Sequence, residues 1–206
     1  NIGNVPIYDQ AQLFAQSIGQ TGNSIVTNDF DIELSWTRNN LNRGYFPTEG
    51  NYQRASAKVT VPGSDAQYYK LQYDVRQYFS LTKKEDFALL MRGRLAYGNG
   101  YGSSGDMLPF YENYYAGGFS TLRGFSSNSI GPRAVYTMGI DHSRCTTTSC
   151  KNKAPDSVGG NAMALASMEL IVPTPFASDE LKNQIRTSLF IDAASVWDTE
   201  FNYDPG

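Results

Sequence analysis

The chain has 206 residues, by length one domain or at most two. Hydrophobic residues make up 40% and charged residues 18%, while glycine (19) and tyrosine (14) are abundant. A mean hydropathy of −0.42, with no run near the ~20 apolar residues of a spanning helix, excludes a helical membrane protein. A transmembrane β-barrel stays open, because its strands hide their apolar half by alternation. The net charge of −3 and pI near 5.2 give no electrostatic reason to expect a nucleic-acid partner. No basic segment leading into an apolar run opens the sequence, so no signal peptide is expected in it. Both ends read as cuts within a longer protein.

Residues 1–27 are polar, and the mixed run 10–18 predicts a helical turn or two within a loop. Regular alternation begins at 29–37, where Phe30, Ile32, Leu34 and Trp36 share one face and Asp29, Asp31, Glu33 and Ser35 the other. In 51–61, Ala55, Ala57, Val59 and Val61 oppose Tyr52, Arg54, Ser56, Lys58 and Thr60, and a Pro62–Asp65 turn follows. In 68–79, Tyr69, Leu71, Tyr73, Val75 and Phe79 oppose Lys70, Gln72, Asp74 and Arg76. In 85–97, Phe87, Leu89, Met91 and Leu95 oppose Arg92 and Arg94. Four such runs within 28–97 predict an antiparallel meander.

The pattern stops over 98–158, a stretch rich in Gly, Ser, Asn and Tyr and far longer than an ordinary loop; loops of that length are usually functional or disordered. Alternation returns in 159–206 with two further strands and the start of another loop. In 161–172, Ala162, Ala164, Ala166, Met168, Leu170 and Val172 oppose Asn161, Ser167 and Glu169. In 185–197, Ile185, Leu189, Ile191 and Trp197 oppose Arg186, Ser188 and Asp192. A soluble sandwich and a membrane barrel both accommodate about six such strands. Strand runs of ~9–12 residues, against ~5–6 in soluble sheets, favour the barrel, as do charges repeated on the face that would line a wet lumen. Known barrels start at eight strands, so further strands are expected beyond these.

Catalytic templates fail. Residues 118–122 start like a nucleophile elbow but lack the closing glycine. The single histidine, His142, reads as a solvated loop residue with no acid or cysteine at metal-ligand spacing. No glycine-rich phosphate loop follows a strand, and 98–102 and 159–160 read as flexible turns. Neither a cofactor nor a metal is expected, and the chain is not read as an enzyme. Cys145 and Cys150 read either as free thiols or, in an oxidising compartment, as a local disulfide, the favoured reading, that shapes a loop tip rather than holding the fold.

The informative segment is 114–136, YYAGGFSTLRGFSSNSIGPRAVY, with Leu122, Arg123, Gly124 and Phe125 at its core. With FYENYYAGG (110–118), it resembles the (V/L)RG(F/Y) loop of the BamA family of outer-membrane assembly factors within the BamA–TamA superfamily. Further blocks in the same order are NRGYFPT (42–48), GPRAVY (131–136), VGGNAM (158–163), PTPF (173–176) and SVWD (195–198), so the likeness runs from about residue 28 onward. The resemblance implies an all-β, antiparallel transmembrane barrel of sixteen strands preceded by periplasmic POTRA domains, in the outer membrane of a Gram-negative bacterium. It makes 1–27 an extracellular loop segment and 98–158 a long extracellular loop folded back into the lumen. It also implies that Arg123 reaches two wall carboxylates, Glu169 and Asp192, which the alternation separately places on the polar face.

The activity implied is folding and insertion of β-barrel proteins, as the central component of the assembly machinery. Its partners would be unfolded barrel clients, lipoprotein subunits held through the POTRA domains, and outer-membrane lipid. A TamA-like protein or a two-partner secretion transporter shares the motif. A passive porin has a polar lumen but no such loop, and a barrel-borne lipase would need a nucleophile and base that are missing.

Overall fold

The computed structural model describes residues 19, 26–83, 86–102, 105, 107–133, 137–138, 143–144, 157–175 and 185–200. The strands are β1 (Asp31–Asn39), β2 (Gly50–Thr60), β3 (Tyr68–Ser80), β4 (Ala88–Gly100), β5 (Thr137–Met138), β6 (Ser143–Arg144), β7 (Ala162–Val172) and β8 (Thr187–Trp197). Six of them form one antiparallel sheet in the order β1-β2-β3-β4-β7-β8, and β5 pairs with β6 in a separate small hairpin within the long loop. The hairpin was not foreseen, since two-residue strands carry no readable period. The expected helical turns at 10–18, His142, Cys145 and Cys150 lie outside the described residues.

Strand ends differ from the alternation by a few residues, for local reasons. β1 starts at Asp31 rather than 29 because the preceding residues bind the Pro62–Asp65 turn instead. The Asn28 N–H donates to Asp65 Oδ2 (2.8 Å), the Phe30 N–H to Ser64 Oγ (3.0 Å), and the Ala66 N–H to Asp29 Oδ1 (2.9 Å). Residues 98–100, expected as a flexible turn, are instead the last rungs of β4: Gly98 pairs with Lys70 and Gly100 with Tyr68. The Gly98 N–H also donates to the Asn161 carbonyl at 2.8 Å. Glycine there serves close packing, because the returning loop presses on this end of the strand.

Register sorts the side chains into two faces. One carries Ile32, Leu34 and Trp36 beside Val59, Ala57 and Ala55, then Tyr69, Leu71 and Tyr73, then Tyr97 and Leu95. It continues through Met91 opposite Met168, and Met168 opposite Ile191. These side chains lie bare: Leu34 is 71% exposed, Leu95 60% and Ile191 76%. A continuous apolar face of this size matches the hydrocarbon-facing band of a barrel. The other face bears Asp31, Glu33, Arg54, Lys58, Lys70, Asp74, Arg76, Arg92, Arg94, Glu169 and Asp192, and it is the face that the loop after β4 covers.

The inner face is not uniformly polar, however. Met163, Leu165 and Ile171 share it with Ser167 and Glu169, and all three are buried. Ile171 belongs to a cluster with Tyr78, Ala88, Leu90 and Leu41, the last contributed by the β1–β2 connection. That connection is held by Asn42, whose amide bonds Thr48 Oγ1 (2.9 Å) and accepts from the Thr48 N–H (3.1 Å). Arg186, just before β8, donates to the Pro47 carbonyl (3.0 Å) and lies over the Phe46 and Tyr78 rings.

The sheet is open along β1 and β8. Bare backbone edges are not viable in hydrocarbon, so both strands need partner strands in the membrane. The two faces also make opposite demands on a charge. In the full-length protein Leu34→Arg should destabilise the barrel by about 2–4 kcal/mol if the site is near mid-bilayer. Ser35→Arg, one residue away on the inner face, should be near neutral. Heat-modifiable gel mobility after refolding into lipid measures both; equal losses would reverse the assignment of faces.

Candidate functional site: a loop held inside the barrel wall

After β4 the chain turns back across the inner face. Tyr114, Ala116 and Ile130 of the loop pack with Ala96 of β4, Met163 of β7, and Val196 and Ala194 of β8. Backbone bonds tie the loop to the top of β7: the Tyr114 N–H donates to the Gly160 carbonyl (2.8 Å) and the Gly160 N–H to the Tyr114 carbonyl (3.0 Å). Asn113 Nδ2 adds a bond to the Val158 carbonyl (3.0 Å). Gly160 cannot carry a side chain here, since a Cβ would lie 2.2 Å from the Trp197 carbonyl oxygen. Loop, β7 and β8 therefore converge at a point only a glycine fits.

The loop apex is closed by its own hydrogen bonds. The Leu122 N–H donates to the Gly118 carbonyl (3.0 Å), the Gly118 N–H to the Phe125 carbonyl (3.1 Å), and Thr121 Oγ1 to the Gly117 carbonyl (2.9 Å). Leu122 is buried, whereas Phe125 is more than half exposed and meets Gly118 through its backbone. Gly124 has φ +87° with open space where a Cβ would go, so glycine is favoured there by conformation rather than crowding. This turn aims the Arg123 side chain at the wall.

Arg123 meets the wall through five hydrogen bonds. Its Nε donates to Asp192 Oδ2 (2.8 Å) and its Nη2 to Asp192 Oδ1 (2.8 Å), a bidentate fork. Its Nη1 donates to Glu169 Oε2 (2.7 Å), Nη2 also to Ser167 Oγ (3.2 Å), and its backbone N–H to Asp192 Oδ2 (3.1 Å). The Ser167 hydroxyl in turn donates to Asp192 Oδ1 (2.6 Å), and the guanidinium stacks 3.6 Å from the centre of the Phe190 ring. Asp192 is the most enclosed member, its side chain 3% exposed against 15% for Arg123. Hydrogen bonding to Asp192, opposed by burial and aided by Glu169, raises the Arg123 pKa above its ordinary value, so the side chain is charged at every accessible pH.

The strands position these partners by register. Tyr52, Arg76, Arg92, Ser167 and Asp192 form one row across the inner face, and Glu169 and Phe190 pair in the neighbouring row. Arg92 stands opposite Ser167 in that row and places a second guanidinium beside the cluster, while the ion pairs to both carboxylates come from Arg123. Ser167 and Phe190 had been given no role from sequence. The available signal was parity: both stand at odd or even positions matching Glu169 and Asp192 on their own strands. What the arrangement can do is hold the loop against the wall.

Removing Arg123 would leave Asp192 and Glu169 without their common cation, a change that typically costs about 3–5 kcal/mol in enclosed pairs. Arg123→Ala should accordingly raise hydrogen exchange across 117–125. Arg123→Lys should recover only part of the protection, because an ammonium has neither the fork nor the flat face that stacks on Phe190. Unchanged exchange in Arg123→Ala would show that the apolar contacts alone hold the loop.

Comparison with known proteins gives a consistent setting. Residues 3–206 match the Omp85 superfamily domain. The outer membrane protein assembly factor BamA of Neisseria meningitidis serogroup B is 34% identical over 165 residues, covering 80% of this chain and 18% of that protein. A SAM50-like protein of Schizosaccharomyces pombe is 24% identical over 169 residues, covering 80% of this chain and 30% of that protein. The crystal structure of BamA from Haemophilus ducreyi lacking POTRA domains 1–3 superposes with a TM-score of 0.81 at 41% identity, over 92% of this chain and 35% of that one. The chain thus spans about a third or less of each relative's length. With its antiparallel wall and the match along nearly all its residues, the chain belongs to the Omp85 superfamily of outer-membrane β-barrel proteins.

Proposed function

We propose that this chain forms part of the barrel of an assembly factor that folds and inserts β-barrel proteins into the outer membrane of a Gram-negative bacterium. The observation that carries the reading is the loop anchored by Arg123 on Glu169 and Asp192 inside a wall similar to that of BamA. The chemistry is non-covalent. An unfolded client strand in a membrane carries unpaired N–H and C=O groups, and a barrel that parts two of its own strands offers a pairing edge, so the client's backbone is satisfied as it enters lipid. The loop stiffens β7 and β8 from inside, which keeps that part of the wall fixed while another part opens. Lipoprotein subunits, recruited through POTRA domains, are the partners of such a machine, and unfolded barrels are its clients.

The test uses the full-length protein reconstituted in liposomes, with an unfolded barrel client followed by its heat-modifiable gel shift. Wild type should accelerate insertion well above empty liposomes, and Arg123→Ala should lose most of that gain. A wild type no faster than empty liposomes would overturn the reading in favour of a transporter that exports a soluble substrate.

A further inference from the structure

The inner wall carries a second charged cluster, at the rim and away from Arg123. On β2 and β3, Lys58 and Lys70 are direct register partners and point to the same face. Two ammonium groups placed opposite each other weaken strand pairing. The loop supplies the missing anion. Glu112, last residue of the 3-10 turn Phe110–Glu112, takes Lys58 Nζ on Oε1 (3.1 Å) and Lys70 Nζ on Oε2 (2.8 Å). Tyr68 OH donates to the same Oε1 (2.9 Å), and Lys70 Nζ also donates to the Glu112 carbonyl (2.7 Å). The Lys70 ammonium lies 4.5 Å from the centre of the Tyr114 ring, two residues further along the loop.

The turn is fixed on both flanks as well. Phe110 packs on the cluster of Ala66, Tyr68 and Leu108, and Tyr111 OH donates to Asp29 Oδ2 (3.2 Å) just before β1. Burial alone would raise the Glu112 pKa, but hydrogen bonds from Lys70, Tyr68 and Lys58 hold it below the usual range, so the carboxylate is ionised at neutral pH.

We propose that Glu112 is a second positioning residue of the loop, clamping its descending arm to β2 and β3 independently of the Arg123 anchor on β7 and β8. The rows that hold the two anchors cross β4 at Gly98 and at Arg92, roughly 20 Å apart along the strand. The loop is thereby a strut between two separate parts of the wall. Its bearing on client insertion rests on the function proposed above; its bearing on loop docking does not.

The experiment is peptide-resolved hydrogen exchange on the full-length protein in lipid, with client insertion measured in parallel and barrel closure checked by heat-modifiable mobility. Glu112→Gln should raise exchange in 107–116 by roughly tenfold, with little change across 117–125. Adding Lys58→Met should recover part of the protection, because it removes the lysine–lysine repulsion that Glu112 neutralises; a purely steric role for Glu112 predicts no such rescue. Unchanged exchange in 107–116, an equal rise through both segments, or no rescue would each overturn the second clamp. If Glu112→Gln loosens the closed barrel's loop but wild type inserts no client, the clamp stands and the assembly function falls.

Discussion

A guanidinium drawn out of bulk water must recover its lost hydrogen bonds or be expelled, and the arrangement on β7 and β8 follows from that requirement. Arg123 recovers them from two carboxylates, a hydroxyl and an aromatic face. Each partner stands where register puts it: Ser167 opposite Asp192 and Glu169 opposite Phe190. A slip of β8 by one residue would turn Asp192 to the lipid side and leave the arginine stranded. The ion cluster and the strand pairing therefore hold each other in place, and the loop apex, tied by its own backbone bonds, presents the arginine at the right height.

The electrostatics are complemented by ordinary packing. Tyr114, Ala116 and Ile130 bury Met163, Ala96 and Val196, so a portion of the lumen is dry despite the charges around it. Such dryness strengthens the neighbouring ionic contacts, because water that would compete for the carboxylates is excluded. Cluster and packing are thus parts of a single interior, assembled from the wall on one side and the loop on the other.

Much of this was legible in the sequence, for a physical reason: a strand between lipid and a wet lumen must alternate, and the alternation marks which residues share a face. That alone places Glu169 and Asp192 on the polar side, while the meeting with Arg123 follows from the likeness of the motif to a known loop. Other features were hidden. The two-sided rule hid Met163, an apolar residue on a polar face, because what covers it comes from a loop without a period. Glu112 was hidden likewise, since Lys58 and Lys70 become neighbours only through the register set by the turn between β2 and β3. The glycines at 98–100 misled, because small residues mark both flexible turns and strands that another backbone approaches closely.

The convergence of backbone bonds, apolar contacts and ions on one segment has a kinetic consequence. Lifting the loop out would wet Met163, break the Tyr114–Gly160 pair and leave Asp192 without its cation in the same motion. These contacts are lost together and nothing replaces them until the docked part reaches water, so its partial withdrawal is uphill throughout. Release of the part docked on β7 and β8 is then a cooperative step resembling local unfolding, so that part behaves as a latch rather than a lid that flutters, while the arm held by Glu112 on β2 and β3 opens on its own.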